Sequence, residues 1–226
     1  MSSYQVYCFS YKNESRYNEM KERFTSLDVD TQWIEPVGPD DPRIKEYNPP
    51  RGNPRGDGNM YSHLRTLETF LKSDKEFAIV CEDDIYIRKS FKKDIQIAID
   101  AMKRLDLHII LLGYLVNYIP VENRVNYHNV VETPFVFLNV FKETWGTQMF
   151  LINRSGAEEC LRLFSDIKET EKTTCFSPDW TITKLPKGAC MYPMLAVEKV
   201  YTITDDNNCR FHLKNQELNY NPDLYL

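Results

Sequence analysis

The chain has 226 residues, of which 42% are hydrophobic and 27% are charged, and this length allows one α/β domain, residues 1–226, with a sizeable core. The formal net charge of -5 argues against a nucleic-acid partner, because contacts to phosphates demand a basic protein face. An acidic protein can still bind a phosphorylated ligand if a metal ion bridges the like charges.

Short apolar runs alternate with amphipathic segments in the first third of the chain. Residues 4–9 predict a first strand, and apolar residues spaced three and four apart predict a helix that begins near Ser15. Residues 32–34 predict a second, short strand. Residues 48–58 hold three prolines and three glycines, which predicts a flexible loop without regular structure, and residues 59–71 return to helical spacing.

The remaining residues continue this alternation. Residues 77–81 are all apolar, as is typical of a central parallel strand that is covered on both faces. Helical spacing recurs in residues 90–102 and 155–164, and strand-like runs occupy residues 107–112, 135–140, 147–152 and 197–202. We therefore predict an α/β fold with a mostly parallel sheet, followed by a C-terminal tail over residues 213–226.

Three carboxylates, Glu82, Asp83 and Asp84, directly follow the apolar run. Ligands of open α/β sheets bind beyond the carboxyl ends of the strands. Adjacent carboxylates at the end of a dry strand repel one another and lose hydration, and a bound cation relieves both costs. Mg²⁺ and Mn²⁺ prefer carboxylate oxygens, and such an ion would neutralise a leaving diphosphate. The alternative is a solvated acidic turn that caps the next segment.

Residues 59–63 (Asn-Met-Tyr-Ser-His), the helix that follows and the strand ending in Glu82, Asp83 and Asp84 resemble glycosyltransferase family 25, which includes lipooligosaccharide galactosyltransferases and collagen glycosyltransferases. Looser matches lie in residues 7–16, 146–157 and 177–180. The resemblance implies a GT-A fold, in which a Rossmann-like nucleotide half is merged with an acceptor half. It also implies a nucleoside-diphosphate sugar donor, with UDP expected, and a divalent cation that is often manganese.

The resemblance has departures. The first strand is followed by Ser10, Tyr11 and Lys12 instead of the usual Asn-Leu-Asp, and Met60 and Tyr61 replace a small residue and a leucine. The identity of the donor therefore does not carry over. Stand-alone enzymes of this kind also occur in large DNA viruses, so a viral source is open.

The resemblance suggests roles for the carboxylates and one histidine. Asp84 is expected to be the firmest metal ligand, Glu82 to contact the ribose or the metal, and Asp83 to face the donor sugar. In GT-A enzymes a late histidine often completes the metal shell, and His212 is placed for this in the sequence. An imidazole suits Mn²⁺ better than Mg²⁺. The alternative for His212 is a surface imidazole.

Five further residues are candidates for the donor. His63, beside Ser62 at a helix start, would contact a phosphate or the ribose, because anions are favoured at a helix N-terminus. The alternative is a capping or core histidine. Near the first strand, Ser10 and Tyr11 would bind the nucleotide, with Tyr11 stacked on the uracil. Arg16 would bind the base or the diphosphate, or would simply lie on a helix surface.

The acceptor side is expected at residues 148 and 177–180. Asp179 is the candidate catalytic base, because an inverting transferase needs a carboxylate that takes the proton of the acceptor hydroxyl. Trp180 would form an apolar platform for a sugar ring, and Gln148 is assigned to the same side. Alternatively, Asp179 belongs to a helix start with an early proline. In that case no base is identified and a retaining mechanism remains open.

The sequence thus predicts a hexosyl- or deoxyhexosyltransferase that acts on a hydroxyl of a glycan or glycoprotein. The rivals are a metal-dependent phosphohydrolase or nucleotidyltransferase, and a non-catalytic α/β binding module. No run reaches the roughly 18 apolar residues of a membrane span, and no leader pattern is visible. The six cysteines are scattered without a CxxC pair. A cytoplasmic protein without a transmembrane segment is therefore expected, in a host cell if the source is viral.

Overall fold

The computed structural model describes residues 3–47, 53–116, 134–140 and 143–226. The strands of its main sheet are β1 (Tyr4–Cys8), β2 (Thr31–Trp33), β3 (Phe77–Cys81), β5 (Ile109–Leu115), β6 (Val136–Asn139), β7 (Trp145–Asn153) and β8 (Gly188–Tyr192). They lie in the order β2-β1-β3-β7-β5-β8-β6. Two more strands, β4 (Ile85–Ile87) and β9 (Ala196–Glu198), form a separate antiparallel ribbon.

Helices cover both faces of the main sheet. They are α1 (Glu14–Ser26), α2 (Pro42–Glu46), α3 (Pro54–Leu71), α4 (Phe91–Arg104), α5 (Arg154–Phe164), α6 (Ile167–Thr170) and α7 (Asn207–Asn219), with short 3-10 turns at Pro178–Trp180 and Ile182–Lys184. The apolar sides of α1 and α4 pack on one face, and those of α3 and α5 on the other. In the part of the chain that is described, no helix combines the length and the apolar character needed to cross a membrane.

The directions of the strands bring three strand ends to one edge of the sheet. Five strands run one way, and β6 and β7 run against them. In register, Cys8 lies beside Cys81, and Cys81 lies beside Met149. The carboxyl ends of β1 and β3 therefore meet the start of β7. The predicted α/β fold with a mixed but mostly parallel sheet is confirmed.

The loop predicted over residues 48–58 is wrong in its second half. Residues 48–52 lie outside the described residues, but α3 already begins at Pro54, and the side chain of Asn53 caps it. An asparagine cap and a proline in the first turn both favour a helix start. Position 58 of the helix requires a glycine, because a Cβ there would lie 2.7 Å from the carbonyl oxygen of Val37.

The predicted C-terminal tail is packed onto the fold. Helix α7 runs to Asn219, and the buried hydroxyl of Tyr225 donates a hydrogen bond to the carbonyl oxygen of Met194 at 2.7 Å. The last residue, Leu226, exchanges two backbone hydrogen bonds with Ile87. The segment is therefore structural, because it covers the β4–β9 ribbon.

Candidate active site

A cavity of about 510 Å³ lies beyond the carboxyl ends of β1 and β3. Six of the predicted site residues line it: Tyr11, Arg16, Ser62, Glu82, Asp83 and Asp84. The sheet topology explains this, because β1 and β3 are adjacent and parallel. Lys12, Arg55 and Asn59 also line the cavity, although the sequence patterns did not indicate them. Three basic side chains, Lys12, Arg16 and Arg55, thus share one cavity with three carboxylates.

Glu82 is held by three donors from two elements. Its Oε1 accepts hydrogen bonds from Asn59 Nδ2 at 3.1 Å and Thr147 Oγ1 at 3.1 Å, and it lies 3.2 Å from His63 Nε2. Burial raises the pKa of Glu82, but the hydrogen bonds from His63, Asn59 and Thr147 outweigh it, so the pKa lies below the usual glutamate value. Glu82 is therefore an ionised carboxylate in a fixed orientation.

His63 lies in the core, which agrees with the alternative for it, whereas Ser62 lines the cavity and its contact with a donor stays a prediction. The His63 ring is fully buried, with Phe9 and Phe150 against it, and its Nε2 faces Glu82. The hydroxyl of Ser62 accepts from the backbone N–H of Val37 at 2.8 Å and donates within α3. Both side chains have internal partners because they lie on the core side of α3. His63 thus contacts Glu82, and Ser62 contacts the backbone at Val37.

Asp83 is engaged on both of its oxygens. Its Oδ2 accepts the hydroxyl of Ser10 at 2.5 Å, and its Oδ1 accepts Arg16 at 3.3 Å. Ser10 is therefore turned toward Asp83, and its predicted contact with the nucleotide stays a prediction. Each carboxylate oxygen can accept more than one hydrogen bond, and Asp83 lines the cavity, so its predicted contact with the donor sugar stays a prediction. Tyr11 is different, because its ring is 39% exposed at the cavity and can accept a stacked base.

Asp84 has one engaged and one unengaged oxygen. Its Oδ2 accepts Arg16 at 3.1 Å, whereas its Oδ1 is buried and finds no hydrogen-bond partner among the described residues. Burial raises the pKa of Asp84 well above its usual value, and the neighbouring carboxylates Glu82 and Glu198 raise it further, while Arg16 opposes them. A buried carboxylate oxygen of this kind is a site at which a cation would be stabilised.

A second cavity of about 280 Å³ adjoins the first on the other side of Arg16. It is lined by Asp84 and His212, so the structure brings the predicted late histidine to the same region as the carboxylates. His212 Nδ1 lies 2.6 Å from Glu198 Oε2, and this hydrogen bond raises the pKa of His212. Arg16 separates the cavities, with its guanidinium 4.6 Å from the centre of the Tyr201 ring.

The side chains available as metal ligands fit a hard divalent cation, although they do not form a preassembled metal site. In the ranges that the structure describes, no three His, Cys, Asp or Glu side chains converge to hold a metal ion. Asp84 nevertheless offers a buried free oxygen, and His212 lines the same cavity. Mg²⁺ and Mn²⁺ commonly take only one or two protein ligands when phosphate oxygens and waters supply the others. Because Oε1 of Glu82 already has three partners, the predicted metal role of Glu82 would fall to its other carboxylate oxygen and stays a prediction.

Asp179 lies on the short 3-10 turn that faces the start of β7. Its Oδ1 accepts the backbone N–H of Gly146 at 2.7 Å. Burial raises the pKa of Asp179, and the charge of Glu82 raises it further, while the Gly146 hydrogen bond opposes them. A carboxylate with a raised pKa close to the other carboxylates has the character of a general base.

The residues predicted for the acceptor differ in exposure. Trp180 is 45% exposed, and its ring meets the Trp145 ring edge-on with 4.5 Å between the centres. These two rings form an aromatic surface beside Asp179. Gln148 is buried, and its Oε1 has no hydrogen-bond partner among the described residues, so its role at the acceptor stays a prediction.

Gly146 should be intolerant of any side chain. Its φ is +81°, and a Cβ at this position would lie 2.7 Å from Nε2 of Gln148. We expect Gly146→Ala to lower the free energy of unfolding by about 1–3 kcal/mol, because it adds backbone strain to a steric clash. Urea denaturation measures this. The exposed Ser155→Ala is the control, and an unchanged midpoint for Gly146→Ala would contradict the prediction.

Solved structures give distant likenesses. The mannose-1-phosphate geranyltransferase of Thermus thermophilus matches over 84% of this chain and 73% of its own, with 11% identity and a TM-score of 0.49. A glycosyltransferase involved in the glycosylation of the major capsid of PBCV-1 matches over 69% and 61%, with 8% identity and a TM-score of 0.34. CMP:2-keto-3-deoxy-manno-octonic acid synthetase matches over 72% and 78%, with 13% identity and a TM-score of 0.36. Identities this low say nothing about the substrate.

The family is shown by the sequence match. No curated protein sequence gives a significant match to the chain. The model of glycosyltransferase family 25, described as an LPS biosynthesis protein family, matches residues 4–175, which is more than half of the chain. The match spans β1, the carboxylates after β3 and the start of β7, so it includes most of the site described above. The chain therefore belongs to glycosyltransferase family 25.

Proposed function

We propose that the protein transfers a hexose or deoxyhexose from a nucleoside-diphosphate donor, expected to be a UDP-sugar, to a hydroxyl of a glycan or glycoprotein. The observation that carries this proposal is Asp84, whose buried Oδ1 lacks a partner among the described residues and which lines the cavity of about 510 Å³. Ligand cavities of roughly 300–1,000 Å³ hold molecules of this size.

The basic side chains and one aromatic ring support binding of the donor. Arg16 and Arg55 line the cavity with Lys12, and a guanidinium or an ammonium group pairs well with a diphosphate. The exposed ring of Tyr11 offers a face on which a base can stack. Asn59 and Thr147 keep Glu82 in place as an acceptor for a ribose or sugar hydroxyl.

Asp84 and His212 would hold the divalent cation, Mn²⁺ or Mg²⁺. When bound, this ion supplies charge neutralisation for the leaving diphosphate. The chain's own residues carry the remaining steps. Lys12 and Arg16 would bind the phosphate oxygens, and Arg16 would leave Asp84 Oδ2 to do so, because one guanidinium cannot serve both at full strength.

Asp179 would act on the acceptor. As the acceptor oxygen attacks the anomeric carbon, the carboxylate takes the hydroxyl proton, and the bond from that carbon to the diphosphate oxygen breaks. This is an inverting displacement. Trp145 and Trp180 lie beside Asp179 and would support the apolar face of the acceptor sugar.

The test is a thermal-shift and turnover experiment with UDP-sugars, with and without Mn²⁺. A donor present at about one hundred times its Kd should raise the Tm by ~5–10 °C, because binding then adds about 2.7 kcal/mol to stability. The stabilisation should disappear in a chelator. Release of UDP from the donor, without release of pyrophosphate from UTP and a sugar phosphate, separates a glycosyltransferase from a nucleotidyltransferase.

Two results would contradict the proposal. One is a Tm that is indifferent to every nucleoside-diphosphate sugar in the presence of Mn²⁺. The other is equal stabilisation with and without the metal. ATP with Mn²⁺ serves as the control for nonspecific binding of a nucleotide.

A further inference from the structure

The β4–β9 ribbon brings a carboxylate to the metal region that the sequence patterns did not indicate. Glu198 is the last residue of β9. In the antiparallel register it lies opposite Ile85, the residue that directly follows Asp84 in the sequence. The next backbone N–H, that of Lys199, donates to the carbonyl oxygen of Asp84 at 2.6 Å. The ribbon therefore brings Glu198 near Asp84, and both carboxylates line the smaller cavity, although they are far apart in the sequence.

Glu198 in turn contacts His212 on α7. Its Oε2 lies 2.6 Å from Nδ1 of the imidazole, and both side chains are mostly buried, with 15% and 25% of their surfaces exposed. Both residues line the smaller cavity together with Asp84. The ring of Phe211 lies edge-on to the imidazole, with 5.6 Å between the centres. The contact with Glu198 engages Nδ1, and no contact among the described residues engages Nε2.

The other carboxylates of the site are committed elsewhere. Three donors hold Glu82 Oε1, and Ser10 and Arg16 take both oxygens of Asp83. Of the carboxylates near His212, it is Glu198 that reaches the imidazole. A metal-binding histidine commonly donates its second ring N–H to a carboxylate, which sets the tautomer and the orientation of the ring.

We infer that Glu198 is a positioning residue for the metal site: it accepts the Nδ1–H of His212 and so directs the Nε2 lone pair toward a divalent cation shared with Asp84. This inference rests on the proposed metal-dependent function. Glu198 acts through His212 and is not itself a ligand. Loss of such a partner typically weakens metal binding about 10–100-fold.

The test is a double-mutant cycle on Mn²⁺ affinity, measured by the electron paramagnetic resonance signal of free Mn²⁺ in the presence of UDP. Glu198→Gln should weaken binding about 10–100-fold, and His212→Gln at least as much. The double variant should be no weaker than His212→Gln alone, because the effect of Glu198 passes through the imidazole. Asp205→Asn, an exposed carboxylate on the neighbouring segment, is the control for the loss of one charge.

Each outcome decides the inference. Additive losses in the double variant would make Glu198 a ligand and overturn it. Unchanged affinity in Glu198→Gln would also overturn it, while the proposed function stands if the wild-type protein binds Mn²⁺ with UDP. A wild-type protein that binds no Mn²⁺ would overturn both. Thermal melts in a chelator verify that the variants are folded.

Discussion

Replacing Asp84 with Asn should reduce metal-dependent turnover of the donor by about 1,000-fold or more. A bound ion is worth several kcal/mol to the departing diphosphate, and each ~1.4 kcal/mol is a factor of ten. The loss is expected at Asp84 because its buried Oδ1 has no partner among the described residues. Release of UDP from a UDP-sugar, measured against Mn²⁺ concentration, checks the prediction.

The Asp84→Asn protein should stay folded. The pKa of Asp84 is raised by burial and by Glu82 and Glu198, so the ionised form is unfavourable in the metal-free protein, and a neutral amide removes that repulsion. The lost contact with Arg16 offsets part of this gain. Asp106→Asn, on a carboxylate that is 82% exposed, is the matched control and should keep full turnover. Full Mn²⁺-dependent turnover in Asp84→Asn would refute the role of Asp84.

Replacing Asp179 with Asn should lower kcat by about 10²–10⁴-fold, which is the usual contribution of a general base. Binding of the donor and of Mn²⁺ should be unchanged, because Asp179 contacts Gly146 and not the donor cavity. Steady-state kinetics with an acceptor, together with the Kd for UDP and Mn²⁺, separate these effects. An unchanged kcat would leave the reaction without this base and favour a retaining mechanism.

The pH dependence provides an internal control for Asp179. The base must be ionised, and burial followed by the charge of Glu82 raises its pKa above the usual aspartate value of 3.8. The rate should therefore rise with pH through this raised pKa, so the acidic limb of the profile lies above the position expected for an exposed aspartate. In Asp179→Asn that limb should disappear. The raised pKa also means that ionising Asp179 costs stability as pH rises through it.

Local patterns in the sequence were sufficient to predict the layers of the fold and the carboxylates at the end of a buried strand. The apolar run of residues 77–81 is buried throughout, and it becomes the central strand β3 that ends in Glu82. The prolines and glycines of residues 48–58 conceal the start of α3, although Asn53 and Pro54 form a helix-start signal. The sequence also allows Asn59 to be predicted as a neighbour of His63, since it lies four residues before His63 on the same face of that helix.

Long-range contacts decided which side chains meet at the site. Whether His63 faces a ligand or the core depends on Phe9, which directly follows β1, and on Phe150 of β7. Thr147 meets Glu82 only because β7 runs antiparallel to β3, and a hydrophobic pattern does not report direction. Nothing local marks Glu198, because its contact with His212 depends on a ribbon that pairs residues far apart in the sequence.

The sequence by itself determined that this is an α/β protein of glycosyltransferase family 25 with three carboxylates at the end of a buried strand. Periodicity and short motifs carry that information, since they depend on neighbours along the chain. Only the tertiary structure shows which partners each carboxylate has. Asp83 is occupied by Ser10 and Arg16, Glu82 is held by three donors, and Asp84 keeps a free buried oxygen near Glu198. Hydrogen-bond partners and burial set these differences, and both arise from segments far apart in the chain.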